Sequence, residues 1–399
     1  MLAPPWIPVP PPAYGGTEAV VSVLCDELAA RGHNVTLFAA PGSRSAAPVI
    51  VPLADPHPDQ FGSSLFEADH VAYAYDTVDR LALEGEPFDV VHDHSGFTAV
   101  AMADRVSPPA VHTLHAPFDD ETRPFYARHG HKAHLVAISR SQLEQAPVGV
   151  PVVDVVPNPL RVEDWPLCTD KADYVLWIGR MDPVKGAHRA ITAAQRSGHR
   201  LVLAGPVQPG QQQYFAGQVE PHIDGEHIVF VGEVGGERRK ELFAHAKALL
   251  MPIRWAEPFG MVMVEALACG TPVLAFREGA ASEIVIHGEN GFLVGDEIEM
   301  TDAIGELHSL DPRRCRASAA ERYDVRIVAA AYEAVYRRAI NGEAQRIRAF
   351  ARRGRLLHRR ADATRSMRRE GGVTALRALS ERGERGGNPM RHSSSLSKG

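Results

Sequence analysis

The chain is 399 residues long, 45% hydrophobic and 23% charged, too long for one ordinary core, so two domains with substantial interiors are expected. Its net charge of −6 is unevenly spread: residues 343–399 hold 15 of the 43 Lys+Arg but only 5 of the 49 Asp+Glu, which leaves an acidic body and a basic tail. An acidic body argues against an enzyme whose main surface tracks nucleic-acid phosphates, and no apolar run approaches the roughly 18 to 20 residues that span a bilayer.

The opening MLAPPWIPVPPPAYGG is too rich in proline for the apolar region of a signal peptide, so a cytosolic protein is expected. Tyr14-Gly-Gly-Thr-Glu18 then opens a helix predicted to run to Gly32. Thr17 can cap it, and Gly15 and Gly16 would let a ligand approach the backbone, although Gly-Gly before a helix is often only a turn. Short runs rich in Val, Ile and Leu follow, alternating with helical patterns, which is the signature of parallel sheets wound with helices. In the first half, residues 34–40, 89–92, 110–114, 134–138 and 152–156 read as buried strands. The pattern repeats at 174–178, 200–204, 228–231, 248–251 and 272–276, with a proline-rich, polar linker placed between the halves at 156–170. After Asp311-Pro312 comes a helical stretch reaching Tyr336. Beyond Gly342 the composition is too polar to bury a core, and disorder is expected. Ile347, Phe350, Ala351 and Leu357 fall loosely on one helical face interrupted by Gly354, which keeps a surface helix as the alternative. The basic tail leaves open a peripheral contact with anionic membrane or another polyanion. Cys25, Cys168, Cys269 and Cys315 are widely spaced, with neither CxxC pairing nor metal-ligand spacing, and read as reduced thiols.

Four stretches carry candidate chemistry. Trp255-Ala-Glu-Pro-Phe-Gly-Met-Val-Met-Val-Glu265 follows a predicted strand, with Pro258 in what reads as the first turn of a helix. Gly270 and Pro272 would end that helix. Backbone N–H groups near Pro258, Phe259, Gly260 and Met261 would form a site for phosphate or sugar oxygens. Glu257 and Glu265, about 12 Å apart along such a helix, suit two separate polyols on one elongated ligand, or are simply two solvated carboxylates. Gly179-Arg180 and Lys185 lie on a strand-to-helix turn where two cations can meet one diphosphate, or remain solvated. His115 stands at the C-terminal end of a strand, where ligands of α/β sheets gather, and is preferred over His112; a packing or capping role is the alternative. His92-Asp-His94 places two imidazoles on one strand face, a pattern that can bind metal, but no third ligand lies at a suitable local spacing. His94 and Ser95 are instead assigned to the acceptor side of the cleft.

In the EPFG and ALACGTPV context around Glu257 and Glu265, in the GRxxxxKG pattern of Gly179–Gly186 and in the Gly-rich loop at 15–16, the chain resembles the retaining glycosyltransferases of family 4 over nearly all of residues 1–342. The resemblance implies a GT-B fold, α/β with two Rossmann-like domains, parallel sheets and an interdomain cleft. The expected domains are an acceptor-side domain over 1–160, a nucleotide-sugar domain over 161–320, a helix over 321–342 crossing back to the first domain, and the tail at 343–399. It further implies that Glu257 contacts the transferred sugar and Glu265 the ribose. Arg180 and Lys185 would hold the diphosphate leaving group in place of a metal, the glycine loop would approach the donor phosphates and the acceptor, and His115 would sit beside the sugar. The expected partners are a nucleotide diphosphate sugar, with a UDP-hexose preferred over GDP-mannose, and a sugar, lipid or small-molecule acceptor. No cofactor and no nucleic acid are expected.

A nucleotide-sugar epimerase of related architecture and a non-catalytic carbohydrate-binding partner protein are the rival readings. A dinucleotide-dependent oxidoreductase is disfavoured because no GxGxxG follows a predicted strand. One departure from the family concerns the start: only Met1-Leu-Ala3 precedes Pro4-Pro5, too little to pair as a central strand, which leads to the expectation of a few further strand residues upstream.

Overall fold

Strands of only four residues suffice at the centre of the second half, where Val175–Ile178, Leu201–Ala204 and Val273–Phe276 are apolar and buried throughout, as parallel sheets covered on both faces require. The computed structural model describes residues 1–13, 15–55 and 62–342; the expectations for the tail at 343–399 lie outside the described residues. The first half runs α1 (Gly16–Ala30), β1 (Leu37–Phe38), β2 (Val49–Ile50), α2 (Ser64–Leu83), β3 (Val91–Asp93), α3 (Phe97–Met102), β4 (Ala110–Thr113), α4 (Thr122–His129), β5 (His134–Ala137), α5 (Arg140–Glu144) and β6 (Val152–Val155). The second runs β7 (Val175–Ile178), α6 (Ala187–Ser197), β8 (Leu201–Ala204), α7 (Gln212–Gln218), β9 (Ile228–Phe230), α8 (Gly236–His245), β10 (Leu249–Met251), α9 (Met261–Ala268), β11 (Val273–Phe276), α10 (Ala281–Ile284), β12 (Gly291–Val294), α11 (Glu297–Gly305) and α12 (Pro312–Tyr323).

The second sheet is parallel in the order β12-β11-β10-β7-β8-β9. Its alternation is visible in the packing: Leu176 and Ile178 join one core cluster, whereas Val175 and Trp177 join the cluster on the opposite face, as a two-residue side-chain period demands. The first sheet has the parallel order β3-β4-β5-β6, and Leu2 bridges both Phe38 and Asp93, linking it to β1 and β2. Leu2 N–H donates to His92 O at 2.8 Å, Ala3 N–H to Phe38 O at 2.9 Å, Phe38 N–H to Met1 O at 2.9 Å and His94 N–H to Leu2 O at 2.9 Å. The expectation that Met1–Ala3 is too short to pair is therefore corrected, since three residues connect the ladders on both sides.

Two strands, β2 and β12, escaped the sequence reading. β2 is two residues between Pro48 and Pro52, and β12 opens on Gly291 directly after a polar turn, so neither apolar run stands out. A second correction concerns the helix expected over 321–342, which is broken: α12 ends at Tyr323, and the chain becomes helical again at 325 and stays so through 342. At the break, Leu160 N–H donates to Tyr323 O at 2.8 Å and Val325 N–H to Leu160 O at 2.9 Å. Cys315, Ala319 and Tyr323 pack into a core cluster of the second sheet, while Val328, Tyr332, Tyr336 and Ala339 pack with Leu24, Leu28, Val111 and Val136 of the first. Both passages of the chain between the halves thus lie side by side at Leu160 and Asp324.

Candidate active site

The C-terminal ends of the two sheets face one cavity of about 390 Å³. From the first half it is lined by Gly15, Gly16 and His115, and from the second by Gly179, Arg180, Lys185, Glu257, Pro258, Phe259, Gly260, Met261 and Glu265. Residues separated by up to 250 positions in the chain are brought together because each follows or precedes a strand end, where helix N-termini also gather.

The loop before α9 differs from its expected form. Pro258 is not in the first turn, because α9 begins at Met261 with Gly260 as its N-cap, in the left-handed region at φ 87°. Glu257 is thus a loop residue, and its separation from Glu265 is not set by helical rise. Its backbone is pinned instead by Gly279: a Cβ there would lie 2.4 Å from both N and O of Glu257, and Ala280 N–H donates to Glu257 O at 3.0 Å. Such contact admits only glycine, whose φ is also positive. The Glu257 carboxylate pairs with Lys185 and accepts the Trp255 indole N–H at 3.0 Å, while the Lys185 ammonium sits 4.5 Å from the Trp255 ring centroid. Glu265, within α9 and buried, pairs with Arg239 of α8. Arg180 donates from Nη1 to Gln208 at 3.3 Å, but its buried Nε has no partner among the described residues.

On the first-domain side α1 is capped by Gly15, and no side chain caps it. Thr17 lies inside the first turn, which corrects its expected role. Gly15 has φ 155°, and a Cβ on it would come 2.6 Å from Pro11, whereas Gly16 faces open space. Gly15 is therefore required by the loop's own packing and Gly16 leaves room for a ligand. Burial of Glu18 beside this loop pushes its carboxyl from 4.5 up to about 7, against a hydrogen bond from its own backbone.

His115 follows β4 and is half-buried; desolvation, then the neighbouring His112, depress its pKa to about 3, so it is a neutral imidazole at physiological pH. Its Nε2 hydrogen-bonds His94 Nδ1 at 2.8 Å. His94 and Ser95, expected on the acceptor side, are not among the residues that line this cavity. His94 stands behind His115, and Ser95 donates its N–H and hydroxyl to Asp93 at 2.8 and 2.6 Å. Asp93 also holds His112. His92 contacts Tyr336 at 2.7 Å and Thr113 at 2.8 Å through its two nitrogens, which leaves neither for a metal.

Sequence reasoning missed Arg239, Lys240 and Gly236, which also line the cavity. The signal was present, since Gly235-Gly-Glu-Arg-Arg-Lys240 repeats the glycine-pair-before-helix pattern read at 15–16. It also missed Asn158, read only as linker, whose buried Oδ1 lines the same cavity without a partner among the described residues.

Two parallel α/β domains facing one cavity, with the charged groups concentrated at strand and helix ends, define the GT-B class of glycosyltransferases. Residues 14–164 match the model of Glycosyltransferase Family 4 and residues 166–322 that of Glycosyl transferases group 1; the chain belongs to this family. It is 28% identical to a glycogen synthase of Mycobacterium tuberculosis, over 84% of this chain and 94% of that protein. It is also 28% identical to a phosphatidyl-myo-inositol mannosyltransferase of Mycobacterium leprae, over 81% and 92%. Among solved structures, AviGT4, a glycosyltransferase involved in avilamycin A biosynthesis, superposes with a TM-score of 0.66 at 28% identity, over 86% of this chain and 97% of that one. No helix among the described residues is long and apolar enough to cross a membrane.

Proposed function

We propose that the protein is a retaining, metal-independent hexosyltransferase that takes its sugar from a nucleoside diphosphate donor. The observation that carries this reading is the meeting of Arg180, Lys185, Glu257, Glu265 and the start of α9 in one cavity with His115 opposite. Arg180 and Lys185 neutralise the diphosphate, with Arg180 Nε, which has no partner among the described residues, supplying a donor, and the start of α9 adds a favourable dipole. Glu265 takes the ribose hydroxyls and Glu257 those of the hexose. UDP-hexose is the first donor to test and GDP-mannose the second; the acceptor is a sugar, a lipid or another small molecule.

Both carboxylates on the second-domain side are engaged by cations, and desolvation holds the His115 pKa down to about 3, which makes it a weak base; both favour a mechanism that uses no protein base. The C1–O bond to the diphosphate breaks with its electron pair passing to the phosphate oxygen. The acceptor oxygen bonds to C1 on the same face, and its proton passes to that leaving oxygen. Charge developing on the leaving group is met by cations already in position, the arrangement that makes electrostatic stabilisation effective.

The test is incubation with UDP- and GDP-hexoses in the presence of chelator, following the sugar by NMR. Transfer or slow hydrolysis with the anomeric configuration kept supports the reading. Isomerisation of the donor without transfer indicates the epimerase, inversion overturns retention, and dependence on added Mg²⁺ or Mn²⁺ overturns metal independence.

A further inference from the structure

The histidines behind the cavity form a layer whose inner members do not reach it. His94 is buried, stacks on His115 with ring centroids 5.1 Å apart and planes 28° from parallel, and shares with it the 2.8 Å contact between His94 Nδ1 and His115 Nε2. A neutral imidazole carries one proton, so this contact has two forms. If His115 Nε2–H donates, His94 must carry its own proton on Nε2, which is buried and has no partner among the described residues. The ring packed on it at 4.1 Å, His92, offers no acceptor, because its nitrogens are taken by Tyr336 and Thr113. If His94 Nδ1–H donates instead, the unpartnered Nε2 is only a bare lone pair. A stranded buried N–H is the rarer arrangement in proteins, so the second form is favoured.

We infer that His94 is a positioning residue that donates from Nδ1 to His115 and holds His115 as the Nδ1–H tautomer. Only Nδ1 of His115 is then left for anything entering the cavity that the residue lines, and it is a neutral hydrogen-bond donor. Such a group suits an uncharged oxygen of a polyol and offers nothing to an acceptor proton. That the oxygen belongs to the transferred sugar rests on the proposed function; the tautomer itself does not.

The test joins a spectrum to kinetics. In protein labelled with ¹⁵N-histidine, the His115 signals, identified by their loss in His115→Ala, are expected to show a protonated Nδ1 and a bare Nε2; a protonated Nε2 in the parent overturns the inference. His94→Asn, whose amide nitrogen stands near the imidazole Nδ1, is expected to keep kcat within about threefold. His94→Phe keeps a ring in the stack without the hydrogen bond and is expected to lower kcat about tenfold, with a smaller change in donor KM, the size of one lost directional hydrogen bond. A His94→Phe enzyme as fast as its parent, when His115→Ala is slow, also overturns the inference. If His115→Ala itself is as fast as the parent, the placing of His115 beside the sugar fails, and the nitrogen spectrum still decides the tautomer.

Discussion

The two walls of the cavity are built from different chemistry. The second-domain wall holds charge in matched pairs, Lys185 with Glu257 and Arg239 with Glu265, plus Arg180, whose buried Nε has no partner among the described residues. The first-domain wall holds a glycine loop and a neutral histidine backed by others. On the proposed function the second-domain wall serves the diphosphate with its cations and the two polyols with its carboxylates, while the first-domain wall offers the transferred sugar one uncharged contact. The pairs also show how a cavity can keep several ionic groups ready for a ligand: each carboxylate desolvated there has a cation beside it, which offsets the penalty of burying either alone.

The comparison breaks most sharply at Glu257. Glu257→Gln is expected to slow transfer about 100-fold, the scale of removing one transition-state contact, while calorimetry shows nucleoside diphosphate affinity changed by less than about threefold. Equal loss in both measurements would mean that Glu257 belongs to nucleotide binding and that the wall does not divide as described. Lys185→Ala removes a charge-assisted contact worth about 1.5–3 kcal/mol and leaves the Glu257 carboxylate without its cation. The nucleoside diphosphate Kd is expected to rise about tenfold or more, and an unchanged Kd would remove Lys185 from the phosphate site. Glu265→Gln should weaken nucleotide binding by about threefold to tenfold, and the effect should vanish for a diphosphate lacking the ribose; persistence there would place Glu265 elsewhere.

The first-domain wall should answer to pH instead. Glu18 is held near 7 by burial, against 4.5 when exposed, so the folded protein binds its proton more tightly than the unfolded chain. The stability it contributes is fully present below about 4.5 and is lost as pH rises through 7. Glu18→Gln is therefore expected to raise the thermal midpoint relative to its parent at pH 8 but not at pH 4.5. An equal shift at both values would show that Glu18 ionises freely. The smallest expected effect is none: turnover should survive chelator, since, on the proposed function, Arg180 and Lys185 meet the phosphate charge in place of a metal.

Much of this was legible in the residues. Ten of the strands could be read because they carry short runs rich in Val, Ile, Leu and Ala, a local pattern that polar residues such as Asp93, His112 and Asp154 interrupt only in the first sheet. The cavity residues of the second domain were legible because glycine, proline and charge cluster where a strand turns into a helix. Pairing was not legible. Nothing local to Glu265 names Arg239, and nothing in VHDHSG tells that His94 turns toward His115 instead of lining the cleft, because each depends on which strand ends the sheet order sets side by side. Likewise the break at Asp324 follows from its bridge to Leu160, 164 positions away, which no helical period along 312–342 reveals. The amino-acid sequence by itself determined most of the elements and the main charged groups of the cavity. Which acid meets which cation, and which histidine faces the ligand, only the tertiary structure decided, since contacts between distant strand ends follow from sheet order and crossover geometry.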